Sequence, residues 1–153
     1  DLCAMLRSMG YESIRMWNDD AYRSFDTGWQ YVTQLDKSID IQYWSTLANN
    51  SENTVLVYLE HGHNVYNFEG VHTYYTLYPD RAPSHVTPEI IMDRWNPYLF
   101  DTKVAENNPS APDIRVKGAG FCLWCDTPAR ESEDELFEHI RPYYTAIAKK
   151  CMT

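Results

Sequence analysis

The run Ile39-Asp40-Ile41-Gln42-Tyr43-Trp44 sets apolar residues at 39, 41 and 43 against Asp40, Gln42 and Trp44. In an extended strand successive side chains point to opposite faces, so one face of this run is suited to a core and the other is polar. That two-faced character constrains the fold more than any other feature of the chain. Residues 12–17 repeat it, with Ile14 and Met16 opposed to Arg15 and Trp17. A third strand is expected over 63–68, and a fourth over 114–116 and 120–125, interrupted by Gly118 and Gly120.

Helical patterns fall between these strands. Leu2, Met5, Leu6 and Met9 have i, i+3, i+4, i+7 spacing and precede Gly10, which predicts an amphipathic helix stopped by glycine. Ser51 is placed to cap a helix carrying Val55, Leu56 and Leu59, closed by Gly62. Thr87-Pro88-Glu89 reads as an N-cap with proline at the first helical position, and that helix is expected to end near Trp95. Ser132 and Glu135 form a capping-box pattern opening a last helix. Its buried stripe is expected at Leu136, Ile140, Tyr143 or Tyr144, and Ile147, with a kink or break at Pro142. Residues 18–38 read as a loop with a short helix around 27–34, and the stretch from the third strand to Val86 reads as irregular.

A helix followed by four strand–helix units implies parallel strands joined by right-handed crossovers. A doubly wound sheet, covered on both faces, would need nearly unbroken apolar strands, which these are not. A polar inner face below an aromatic rim fits a barrel. The expected class is therefore α/β: half of a (β/α)8 TIM barrel, about four parallel strands with helices on the outer face. At 153 residues the chain is one domain, 1–153. Half a barrel has two unpaired strand edges and an uncovered inner face, so its expected partner is the missing amino-terminal half or a second copy of itself.

A formal net charge of -9 argues against nucleic acid or an anionic membrane surface as the main partner. No run approaches the roughly 20 apolar residues of a membrane span, and no secretory leader pattern opens the sequence. Cys3, Cys122, Cys125 and Cys151 make no disulfide framework. On a strand the sulfurs of Cys122-x-x-Cys125 diverge, which disfavours redox chemistry or zinc. His61-Gly62-His63 straddles a helix stop and reads as structural, so neither metal nor cofactor is expected. Trp29 and Trp95 read as packing rings, Arg15, Asp40 and Gln42 as a bonded network inside the barrel, and Glu131 to Glu138 as a solvated helix start.

The chain holds 12 Tyr and 5 Trp, and many of these rings fall in four segments at strand ends. They are Met16-Trp17-Asn18-Asp19-Asp20, Gln42-Tyr43-Trp44-Ser45, Tyr74-Tyr75-Thr76-Leu77-Tyr78 and Leu123-Trp124-Cys125-Asp126. Rings beside carboxylates suit stacking on a sugar and clamping its hydroxyls. Taken in order, with Gly118-Ala119 leading to Trp124-x-Asp126, the set resembles the second half of the catalytic barrel of glycoside hydrolase family 20. That family comprises the β-N-acetylhexosaminidases and lacto-N-biosidases, and the resemblance covers nearly the whole chain.

The resemblance implies cleavage of terminal β-linked N-acetylhexosamine, or of lacto-N-biose, from glycans. The mechanism implied is substrate-assisted and retaining, in which the 2-acetamido carbonyl attacks the anomeric carbon. Trp17, Trp44 and Trp124 would enclose the acetamido methyl and the sugar face. One of Tyr74 and Tyr75, with Tyr75 placed ahead, would donate to the acetamido carbonyl. Asp126 would accept from outer hydroxyls, and Asp19 would support the catalytic pair from behind. Where many exo-acting members have Glu, Asp126 leans toward the lacto-N-biosidase and surface-exoglycosidase branch. The family's adjacent Asp-Glu pair would lie upstream of residue 1, since Asp134-Glu135 here begins a helix. On this reading the isolated chain is inactive and its parent is secreted or displayed at the cell surface. The alternative is a non-catalytic carbohydrate-binding or structural partial-barrel domain.

Overall fold

A computed structural model describes residues 2–19, 35–44, 54–77 and 86–152. The short helix expected around 27–34, the Ser51 cap and Trp29 lie outside the described residues. Four strands, β1 (Ile14–Trp17), β2 (Ile39–Tyr43), β3 (Val65–Asn67) and β5 (Val116–Ala119), form one parallel sheet in the order β1-β2-β3-β5. Two further short strands, β4 (Tyr74–Thr76) and β6 (Cys122–Trp124), pair in parallel with each other as a separate two-stranded sheet. The expected parallel half-barrel is therefore present, and β4 corrects the reading of its segment as irregular. Gly118, at φ 145, lies inside β5, and the chain leaves regular strand at Gly120 and Phe121.

The two strand faces behave as the alternation demands. Ile39, Ile41 and Tyr43 are buried with Val65, and α2 (Val55–Glu60) covers them with Val55, Tyr58 and Leu59. On β4 and beyond β5 the same outer face meets α3 (Pro88–Arg94) and α4 (Glu133–Cys151). Ile91, Trp95, Ala146 and Ile147 form one cluster there, and Tyr75, Leu77 and Ile140 another. Burying a side chain of this size stabilises the fold by about 1.5–3 kcal/mol, which is why the helices stay on this face. Arg15, Asp40, Gln42 and Tyr66 occupy the opposite face, aligned across the strands by register. Arg15 lies 3.9 Å from Asp40 and stacks its guanidinium over Tyr66, and Asn64 donates to Asp40 at 3.0 Å. The network expected inside the barrel is thus in place for Arg15 and Asp40.

Local chemistry sets the helix ends. Thr87 Oγ1 accepts from the Ile90 N–H with Pro88 in the first turn, and Ser132 and Glu135 complete a capping box. Of the kink or break expected at Pro142 the break is corrected here, as is the covered stripe of the first helix. Pro142 lies within α4 without breaking it, so the helix runs continuously to Cys151. In α1 (Leu2–Ser8), Leu2 and Met5 of the apolar stripe are 65% and 52% exposed, and no residue of the helix is buried.

Arg115 joins the layers: it forks onto Asp113 through 2.6 and 3.0 Å contacts and donates to the Leu59 carbonyl at the end of α2. Hydrogen bonds from Arg115 hold the Asp113 carboxyl down at about 2, against 3.8 for the free group. Because the folded value is the lower one, this stabilisation is present above 3.8 and is lost as pH falls through about 2. Asp113→Asn should accordingly flatten the fall of the melting temperature over that acid window and leave neutral-pH melting less affected than Arg115→Ala does. Parallel acid-melting curves for wild type and Asp113→Asn would contradict the assignment.

Candidate functional site

The carboxyl ends of the strands carry the aromatic segments, and backbone hydrogen bonding fixes how they meet. Asn18, fully buried, follows β1; its N–H donates to the Gln42 carbonyl at 3.2 Å and its Oδ1 accepts the Trp44 N–H at 2.9 Å. The Tyr58 hydroxyl of α2 donates to the Asn18 carbonyl at 2.8 Å, which ties this turn to the core. Asp19 is next, and both of its carboxylate oxygens lie 3.1 Å from the Trp44 indole Nε1. The Trp44 backbone and ring are therefore held by two consecutive residues of the preceding strand end.

Trp44 stacks on Tyr74 with ring centroids 6.4 Å apart and planes 20° from parallel. Tyr74 in turn meets Trp124 at 6.0 Å. Three rings, one just after β2 and the others in β4 and β6, thus make one continuous wall on the face away from the helices. Trp17 sits beside it, edge-on to Phe68 at 5.1 Å. Phe68 fills the space over Gly120, where a Cβ would fall 2.0 Å from the ring. Trp124 remains 44% exposed, so the wall is open to a ligand. Asp126 is exposed in the turn just after β6.

The two adjacent tyrosines point to opposite faces, as an extended strand requires. Tyr75 is 4% exposed, edge-on to Tyr143 of α4, and its hydroxyl donates to Glu131 at 3.1 Å. Tyr74 is the one facing the tryptophans, and its cross-strand partner is Cys122. Of the pair, the geometry sets Tyr74 beside the tryptophans and Tyr75 beside α4. Burial, then the Cys122 contact and the charges of Asp19 and Glu69, push the Tyr74 phenol well above its ordinary value. Tyr74 is therefore a neutral hydrogen-bond donor throughout the physiological range.

Sequence reasoning gave no role to Asn18, Phe68, Glu69 or His72, although all four shape this region. Asn18 lay inside a quoted segment, and Phe68 opposite a glycine on the neighbouring strand was the available signal for close ring-to-backbone packing. His63 is buried against the Ile39 carbonyl, and the exposed His61 bonds back to the Val57 carbonyl of its own helix. Among the described residues no three His, Cys, Asp or Glu side chains gather as a metal site. Among the described residues no helix is long and apolar enough to cross a membrane.

Fold and site together define a partial (β/α) barrel with an aromatic wall at the carboxyl ends of its strands. Among solved structures the chain is similar to Dispersin B, with a TM-score of 0.79 and 18% identity over 99% of this chain and 46% of that one. It is also similar to the pneumococcal virulence factor StrH in a study of N-glycan recognition and hydrolysis, with a TM-score of 0.66 and 24% identity over 97% of this chain and 34% of that one. A second StrH structure, of the tandem GH20 catalytic modules of that pneumococcal exo-beta-D-N-acetylglucosaminidase, gives 0.65 and 24% with coverages of 97% and 34%. No protein-family profile and no curated protein sequence matches the chain. The fold is accordingly GH20-like and α/β, and the chain spans less than half the length of each of these structures.

Proposed function

We propose that residues 1–153 are the carboxyl-terminal half of a family 20 glycoside hydrolase barrel, contributing the pocket wall that receives a terminal β-linked N-acetylhexosamine. The Trp44–Tyr74–Trp124 stack carries this reading, because it puts three ring faces and one neutral phenol donor on the open face of a GH20-like sheet. Trp17 and Trp124 flank the acetamido methyl and the sugar face. Tyr74 donates to the acetamido carbonyl and polarises it for attack on the anomeric carbon. Asp126 accepts from the outer hydroxyls, and Asp19 acts by holding the Trp44 indole.

The Asp-Glu pair that would orient the acetamido N–H and protonate the leaving oxygen belongs to the other half of the barrel. Asp134-Glu135 does not stand in for it, since Glu135 is bound to Ser132 in the cap of α4. The partner in this reading is the amino-terminal half-barrel or a second copy meeting the β1 edge, where α1 leaves Leu2 and Met5 exposed. The substrate class places the parent protein outside the cell or at its surface.

The test uses the polypeptide that carries both halves. It should hydrolyse an aryl N-acetyl-β-glucosaminide or a lacto-N-bioside, and N-acetylglucosamine should shift its tryptophan fluorescence saturably. Trp44→Ala should weaken that binding by about tenfold, the equivalent of ~1.4 kcal/mol. Saturable binding without hydrolysis would instead support the carbohydrate-binding alternative. Absence of both would end the saccharide reading.

A further inference from the structure

The segment between β3 and β4 is built around a buried carboxylate–imidazole pair that the pocket wall itself does not contain. Glu69 is 5% and His72 6% exposed. Glu69 Oε2 lies 2.8 Å from His72 Nδ1 and accepts the His72 N–H at 3.1 Å, while Oε1 accepts the Val71 N–H at 2.8 Å. The backbone of Glu69 closes the same loop. Its N–H donates to Asn67 Oδ1 at 2.8 Å, and its carbonyl accepts the Thr73 N–H at 3.1 Å and the Thr73 hydroxyl at 2.9 Å. A buried carboxyl is costly unless its oxygens are satisfied, and here two backbone N–H groups donate to it with the His72 ring nitrogen alongside. The pair therefore dictates one loop conformation.

That conformation reaches both halves of the ring stack. Gly70, next to Glu69, donates its N–H to the Trp44 carbonyl at 3.1 Å, and a Cβ on Gly70 would lie 4.0 Å from the Trp44 ring. At the other end Thr73 is fully buried, its carbonyl accepts the Cys122 N–H at 2.8 Å, and Tyr74 follows directly. One loop thus fixes the backbone beside one ring and launches the strand that bears the next.

We propose that Glu69 and His72 are a positioning pair for the aromatic wall, setting the register between Trp44 and Tyr74 that a sugar ligand meets. The nature of the ligand rests on the saccharide reading; the placement of the rings does not. An asparagine at 72 can put its amide nitrogen where Nδ1 now sits, whereas phenylalanine fills the space without a donor.

The experiment compares Glu69→Gln, His72→Phe and His72→Asn in the full chain, with far-UV circular dichroism as the check on folding. The readouts are the near-UV dichroism of the coupled rings and titration with N-acetylglucosamine. Glu69→Gln and His72→Phe should lose the ring band and weaken binding by about fivefold or more, while His72→Asn stays within about twofold of wild type on both. Wild-type ring bands in Glu69→Gln and His72→Phe, or a His72→Asn as impaired as His72→Phe, would overturn the proposal. If Glu69→Gln fails to fold, the two His72 variants decide by the same comparison. If the wild type binds no N-acetylglucosamine, the saccharide reading falls and the ring band alone decides whether the pair positions the wall.

Discussion

Tyr74→Phe should reduce turnover of an N-acetyl-β-glucosaminide by the complete barrel about 10²-fold, the usual consequence of deleting one preorganised donor to a developing charge. Phenylalanine keeps the ring between Trp44 and Trp124, whose centroids stand 6.4 and 6.0 Å from that of Tyr74. Stacking is therefore retained and only the hydroxyl is lost. The fall should appear equally in kcat and kcat/KM, because polarisation of the attacking carbonyl matters most in the transition state. Tyr75→Phe makes the internal control. It breaks a bond to Glu131 on the covered face, at a cost of about 1 kcal/mol in stability, and should leave turnover within about threefold. A Tyr74→Phe enzyme with wild-type turnover, or a Tyr75→Phe enzyme that is the more damaged, would reverse the assignment.

The second large effect is steric. In Gly120→Ala the new methyl would sit 2.0 Å from Phe68 Cε1 and 2.1 Å from Cζ. Carbon atoms pack at about 3.5–4.0 Å, so the ring has to leave. Phe68 cannot swing away without giving up its edge-on contact with Trp17 at 5.1 Å. Overfilling a packed site of this kind costs about 1–3 kcal/mol, readable as a lower denaturant midpoint. Phe68→Ala in the same background should recover part of that loss, since the two changes compete for one space. Strictly additive losses in the double-mutant cycle would mean that the contact does not govern stability.

Much of the architecture was legible because it rests on period-two alternation and on caps. Ile39, Ile41 and Tyr43 announce a covered face, and the Ser132–Glu135 box marks the start of α4 within a residue. Other features depend on contacts far apart in sequence. β4 consists of three residues that are strand only because β6 lies beside them, and no local pattern encodes that pairing. Which of Tyr74 and Tyr75 faces the tryptophans could not be carried across from β3 by strand parity, because residues 68–73 between β3 and β4 are not strand. Pro142 fails to break α4 for a different reason. Pro142 and Glu138 are both exposed, so the carbonyl that loses its N–H partner can turn to water, and the rest of α4 packs through Ile140, Ala146 and Ile147. In α1 the spacing was right, but Leu2, Met5 and Met9 face outward, because periodicity names a face and not its cover.

The bond between the Trp44 indole and Asp19 bears on stereochemistry. An indole has one N–H, and here it already points at a carboxylate, so the ring can offer an incoming molecule only its flat π surface. Such a surface cannot count hydroxyls. It can register whether a pyranose chair turns a level sheet of axial C–H bonds toward it or lifts away on an axial oxygen. If a saccharide is the ligand, as proposed, epimers that differ at a single carbon should be told apart at this ring by planarity.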